Sequence, residues 1–112
     1  MKKEFSIELS WEAIYDIAEI ADYIDIYFGS ERAIRFEEEI KEELTKLKYT
    51  GTIFGKTQLL YRGYYIQKKP FPPSIIFYVI DSTKDTVFIL RILREERDWE
   101  ALLNCHPTYS FE

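Results

Sequence analysis

The strongest constraint on this chain is a helical rhythm that is broken only once. Apolar residues recur at three- and four-residue steps through Trp11, Ile14, Tyr15, Ala18, Ala21, Tyr23-Ile24 and Phe28, and again through Ala33, Phe36, Ile40, Leu44 and Leu47. Each series is the apolar stripe of an amphipathic helix. Only Gly29 and Ser30 connect the two helices, so a helix stopped by glycine is followed at once by another, with Ser30 as its expected N-cap. A two-residue connection leaves little alternative to an antiparallel helical hairpin. Ser10, with Glu12 in the first turn, is the expected cap of the first helix. Glu37, Glu38, Glu39, Lys41, Glu42 and Glu43 mostly populate the solvated side of the second.

The period changes on either side of the hairpin. Phe5, Ile7 and Leu9 alternate with Ser6 and Glu8, which predicts a short strand near a sheet edge. Thr50-Gly51-Thr52 and Gly55 mark a loop. Residues 59 to 69 (LLYRGYYIQKK) have strand character, with a bulge expected at Gly63 and an end at Pro70, since proline donates no ladder bond. Ile75 to Ile80 is apolar on both faces and predicts a central strand covered on both sides. A turn over Asp81 to Asp85 closes a hairpin with Thr86 to Arg94. Glu95 to Leu103 can form a short helix with Trp99, Leu102 and Leu103 on one side, while residues 104 to 112 show no period. The expected fold class is α+β: an N-terminal strand, an antiparallel two-helix hairpin packed on one face of a small antiparallel β-sheet, and a short C-terminal helix. The 112 residues suit a single domain, since domains usually run to roughly 100–200 residues. We read residues 1–104 as that domain and 105–112 as a tail.

Composition removes several classes of function. With 46% hydrophobic and 17% aromatic residues the chain can build a core, so disorder is excluded. The single cysteine, Cys105, permits neither an intrachain disulfide nor a multi-cysteine metal site, which fits a reducing cytoplasm. The adjacent Cys105-His106 lacks distant partners, so no metal and no cofactor are called for. The first ten residues hold no signal-peptide core, and the longest apolar run falls far short of the roughly 20 residues a bilayer requires. The net charge of −5 is unevenly spread. Residues 1–47 hold 6 basic and 13 acidic side chains, residues 48–94 hold 8 and 2, and residues 95–112 hold 1 and 5. A basic middle between acidic ends either presents a surface to an anionic partner or neutralises the acidic helices across the fold.

A set of short motifs carries a resemblance. Ser10-Trp11-Glu12-Ala13 leads into Asp16-Ile17 and Ala21-Asp22-Tyr23-Ile24; Ala33 and Phe36 follow, then Tyr61-Arg62-Gly63-Tyr64, Ile76 to Ile80, Val87 to Leu93 and Arg94-Glu95-Glu96-Arg97-Asp98. In order and spacing these resemble the RelE/ParE superfamily of small bacterial toxins, also labelled plasmid-stabilisation proteins, over about residues 5–103. The resemblance implies the toxin of a type II toxin–antitoxin module, neutralised by a cognate antitoxin. It allows a homodimer or a toxin–antitoxin hetero-oligomer. RelE-like members cleave mRNA on the ribosome, whereas ParE-like members inhibit DNA gyrase.

RNA cleavage needs a base for the ribose hydroxyl, cations for the phosphate and an acid for the leaving oxygen. Arg62, Tyr78, Arg91 and Arg94 are the catalytic candidates, and Lys56 is a further cation. Two departures from the family pattern weaken the nuclease reading. Pro72-Pro73-Ser74 stands where many relatives have an arginine, and Arg94 stands where many have a histidine, a group that guanidinium cannot replace as a base. An acidic pI near 5.0 adds to this. The reading therefore leans towards the ParE-like branch, with function by binding; the RelE-type endoribonuclease is the alternative, and an inactive interaction module of the same fold, suggested by the same missing arginine and the acidic balance, is the second. Arg62, Tyr64, Lys68, Lys69, Arg94 and Arg97 are the expected target- or antitoxin-binding residues, on a basic, aromatic sheet face left open by the hairpin.

Each candidate also has a plain structural role. Arg91 shares strand parity with Val87, Ile89 and Leu93, and Arg94 with Phe88, Leu90 and Ile92, so either could pair with a helix acid. Lys68-Lys69 could be a solvated strand end. The aromatics, Tyr61, Tyr64, Tyr65 and Tyr78 included, mostly build core, and Trp99 anchors the last helix to the sheet.

Overall fold

The computed structural model describes residues 4–104 and 108–111. Strand β1 (Ser6–Leu9) leads into helices α1 (Trp11–Phe28) and α2 (Ser30–Thr50). After a 3-10 turn at Gly51–Ile53 come β2 (Lys56–Tyr61), β3 (Tyr64–Phe71), β4 (Ser74–Asp81), β5 (Thr86–Arg94) and helix α3 (Trp99–Asn104). The sheet order is β1-β5-β4-β3-β2, which puts β1 at one edge and β4 in the centre, as expected. Strands β2 to β5 form an antiparallel meander, but β1 runs parallel to β5, so the sheet is mixed. An alternating pattern reports which face a residue takes and carries no strand direction.

Ser10 caps α1 as its position suggested. Its Oγ accepts from the Ala13 amide at 2.9 Å and donates to the Leu90 carbonyl at 2.7 Å, which fixes the start of the helix against β5. At the other end a single residue makes the corner. Gly29 sits at φ +98° and is both the C-cap of α1 and the N-cap of α2. Ser30 is the first helical residue and makes no capping bond, which corrects its assignment as a cap. Glycine enters the positive-φ region at no steric cost, so the chain reverses in one residue rather than two.

Residues 59–69 are not one strand. They contain the turn of the β2–β3 hairpin, in which Arg62 (φ 51°) and Gly63 (φ 86°) form a two-residue loop with Tyr61 facing Tyr64. Positive φ at both positions matches the right-handed twist of the flanking strands. Nor does Pro70 end β3, which continues to Phe71 and pairs with β4 there. The Lys68 amide donates towards the β2 side, to the Gly55 carbonyl at 3.0 Å. Two residues on, Pro70 faces the same side beyond the start of β2, where no ladder acceptor waits for an N–H.

Both faces of the sheet are covered. Towards the helices, Ala13, Phe36, Ile40, Leu44 and Leu47 pack on Ile76, Tyr78, Val87, Ile89 and Ile92. On the far side Phe77, Val79, Leu90 and Leu93 lie under Leu103 and Tyr109. Burial of side chains of this size contributes about 1.5–3 kcal/mol each. The expectation of an open sheet face is therefore corrected: α3 and residues 108–111 occupy it. Helix α3 begins at Trp99 rather than Glu95. Cys105-His106 lies outside the described residues.

A bulge in β5 resets its parity. Phe77 pairs with Arg91 but the next residue, Tyr78, pairs with Ile89, so Leu90 is the extra residue. Ile92 consequently joins Val87 and Ile89 on the helix side while Leu93 joins Phe88 and Leu90 on the other. The simple alternation expected for Arg91 and Arg94 is thus corrected at Leu90.

Candidate docking site

A cleft of about 600 Å³ opens between the distal end of the helical hairpin, the β3–β4 turn and the end of β5. Its floor includes Ile20, Tyr23, Ile24, Phe36, Phe71 and Ile92. Arg32 and Arg35 from the first turns of α2, Arg94 from the last residue of β5 and Arg97 from the following turn stand around it. These residues meet because the one-residue corner at Gly29 brings the start of α2 beside the end of α1. Hydrogen bonds from the Glu95 amide to the Pro73 carbonyl (2.9 Å) and from the Arg97 amide to the Arg94 carbonyl (3.1 Å) hold the opposite wall.

Two of the four arginines lie on aromatic rings. Arg32 Cζ is 4.8 Å from the centroid of the Phe28 ring, and Arg94 Cζ is 5.2 Å from that of Tyr23. Arg94 Nε also lies 2.8 Å from Glu96 Oε1, an exposed pair of little energetic weight. Among the described residues no ion pair engages Arg32, Arg35 or Arg97. The acids in the cleft are Glu19, Glu39 and Asp16, and Asp16 is already committed to Arg91. The lining thus sets four arginines against Glu19, Glu39 and the committed Asp16, on a chain of charge −5. Phe28 is 54% exposed, and Tyr23 on the floor contacts the Tyr27 ring, itself 66% exposed, at 4.7 Å, so the apolar floor runs onto aromatic surface at the tip of the hairpin. An apolar centre with a rim of arginine is the make-up of a protein-docking surface.

The other candidates are dispersed. Arg91 is a structural residue: its Nε and Nη2 donate to the Asp16 carboxylate at 2.7 and 2.9 Å, and Asp16 also accepts the Ile92 amide at 2.9 Å. Since β1 ends at Leu9, that carboxylate stands in for a missing ladder acceptor beside β5. The pairing holds the Arg91 guanidinium even further above its usual range. Tyr78 is fully buried and donates to the Gly51 carbonyl at 2.6 Å, and burial pushes its phenol well above the ordinary tyrosine range. It anchors the end of α2 with Gln67, whose Nε2 donates to the same carbonyl at 3.0 Å. Lys69 is not a solvated strand end: it is buried, pairs with Glu43 at 2.7 Å and lies 4.5 Å from the Phe54 ring centroid. Lys68 lies over Trp99 at 5.2 Å, Tyr64 donates to Asp81 at 3.1 Å, and Arg62 sits at the tip of the β2–β3 turn against Tyr61 at 5.3 Å. Of the residues named from the sequence, the cleft gathers Arg94 and Arg97.

Arg32 and Arg35 were missed because they stand among the glutamates of α2. The available signal was their three-residue spacing beside Phe36, which places both on the edge of the helix facing the core stripe. Among the described residues, no group of three or more His, Cys, Asp or Glu is placed to hold a metal, and no helix is long and apolar enough to cross a membrane.

The architecture is that of small toxins solved with their antitoxins. The chromosomal ParDE toxin–antitoxin system from P. aeruginosa matches with a TM-score of 0.69 at 20% identity, over 84% of this chain and 99% of that one. The RelBE2 toxin–antitoxin complex from Mycobacterium tuberculosis matches with a TM-score of 0.60 at 15% identity, over 87% and 98%. At these identities the likeness is one of fold. Comparison with curated proteins gives no match. The family model of the ParE toxin of the parDE type II toxin–antitoxin system matches residues 7–99. The chain belongs to this ParE toxin family.

Proposed function

We propose that this toxin acts in the cytoplasm by binding DNA gyrase, and that a cognate antitoxin neutralises it by seating an acidic, apolar segment in the arginine-rimmed cleft. The observation that carries the binding reading is the fate of the catalytic candidates. Arg91 is locked on Asp16, the Tyr78 hydroxyl is consumed by a backbone carbonyl in the core, Arg62 sits at the tip of the β2–β3 turn, and Arg94 is the one of the four that reaches the cleft. General acid–base chemistry on RNA requires such groups to converge on one phosphate. An arginine-rimmed apolar cleft instead suits a protein partner of opposite charge. Purified gyrase tests the target: the toxin should inhibit supercoiling in a dose-dependent way, and preincubation with the product of the neighbouring small reading frame should relieve the inhibition. Unimpaired supercoiling alongside cleavage of ribosome-bound mRNA would replace this reading with the RelE-like one.

A further inference from the structure

Residues 108–111, which belong to no helix or strand, lie across the far face of the sheet, beyond the region that the family model matches. Two aromatic side chains at alternate positions anchor them. The Tyr109 ring meets Tyr61 edge-on at 5.2 Å and is 4% exposed, and the Phe111 ring meets Phe88 edge-on at 5.0 Å. Between the rings the bonding is carried by backbone: the Tyr109 amide donates to the Tyr61 hydroxyl at 3.1 Å, the Ser110 amide to Glu12 Oε1 at 2.9 Å, and the Ser110 carbonyl accepts from the Trp11 amide at 2.8 Å.

Every polar group that the strap supplies in those three bonds is one that any peptide has. The groups that receive it belong to β2 and to the first turn of α1. The Trp11 amide is one of the first-turn donors for which a helix has no partner of its own. The two apolar contacts require only large rings two residues apart, the spacing that puts side chains on one side of an extended chain. Backbone bonds for affinity and alternate side chains for selectivity are how extended peptides are generally recognised.

We infer that this face is a peptide-binding surface, that residues 108–111 are its resident occupant, and that an extended partner segment with aromatic residues at alternate positions competes for it. The site is separate from the arginine-rimmed cleft and does not depend on the identity of the toxin's target.

The test uses the full chain and a labelled peptide of residues 107–112 (PTYSFE) as probe. A Tyr109→Ala/Phe111→Ala variant frees the face, and it should bind the peptide saturably and at least tenfold more tightly than the wild type does. A peptide with both aromatics replaced by alanine should bind neither protein. Equal binding to variant and wild type, or equal binding of the alanine peptide, would overturn the inference. Hydrogen exchange on the wild type keeps it falsifiable should the variant not fold. The Trp11, Tyr109 and Ser110 amides should exchange at least tenfold faster than those of Ile76 and Val79 in the central strand β4, because a resident occupant must leave without global unfolding. Exchange of all five at one common rate would mean that the strap is fixed core.

Discussion

Replacing Asp16 with alanine removes three bonds at once at the edge of the sheet: two to the Arg91 guanidinium and one to the Ile92 amide. Side-chain exposure is 8% for Asp16 and 17% for Arg91, so the arginine is left largely out of water without its bonded counter-charge. Breaking a buried pair from one side costs about 3–5 kcal/mol. Because part of Arg91 stays wet, the lower end applies, about 3 kcal/mol. For a domain near 100 residues each kcal/mol lowers Tm by roughly 4–8 °C, so Asp16→Ala should lower it by about 12–24 °C. Adding Arg91→Leu removes the stranded charge and should recover at least about 1 kcal/mol, a non-additivity that a double-mutant cycle reads directly. Urea denaturation of the four proteins supplies the numbers. A cost below about 1 kcal/mol for Asp16→Ala, or strict additivity with Arg91→Leu, would refute the view that this pair completes the sheet edge in place of a strand.

Tyr78→Phe should cost about 1 kcal/mol in urea denaturation, since Gly51 keeps its bond from Gln67, and should leave toxicity in a growth assay unchanged; loss of toxicity in a folded Tyr78→Phe protein would return this residue to a catalytic role. Hydrogen bonds from Lys69 and then Lys46 hold Glu43 below the usual carboxylate range. Its contribution to stability is therefore complete above the unfolded value of about 4.3 and lost as pH falls through the lower folded value. Glu43→Gln should flatten that acid limb of the stability profile by about 0.5 kcal/mol, and an unchanged limb would contradict the pairing. Arg32→Glu/Arg35→Glu should weaken the antitoxin complex at least about tenfold, or 1.4 kcal/mol, with Tm nearly unchanged. Salt should weaken the wild-type complex more than the variant's in titration calorimetry.

Much of the fold could be read because hydrophobic period speaks directly to burial. The stripe from Ala33 to Leu47, the two-sided run from Ile75 to Ile80 and the cap at Ser10 all stand where their patterns placed them. The reading failed where backbone conformation departs from residue preference. Arginine is an unusual residue at φ 51°, so Arg62-Gly63 did not announce a hairpin turn as Asn-Gly would. The bulge at Leu90 leaves no mark in an all-apolar segment, and a one-residue slip in parity cannot be seen when both faces are buried. Pro70 was read as a strand end because the sequence does not reveal that β2 starts too late to need its amide. The site was harder still. Arg91 could be recognised as half of an ion pair from the excess of helix acids, but the cleft joins residues as far apart as Tyr23, Arg35 and Arg94, which only the corner at Gly29 and the fold of the sheet bring together.

The central claim, a toxin that works by binding rather than by cutting RNA, is tested most directly by inducing this chain alone in a bacterial host and scoring DNA breaks and mRNA integrity in the same culture. The account predicts growth arrest with filamentation and DNA damage while mRNA stays intact. Arrest with rapid mRNA loss and undamaged DNA would contradict it.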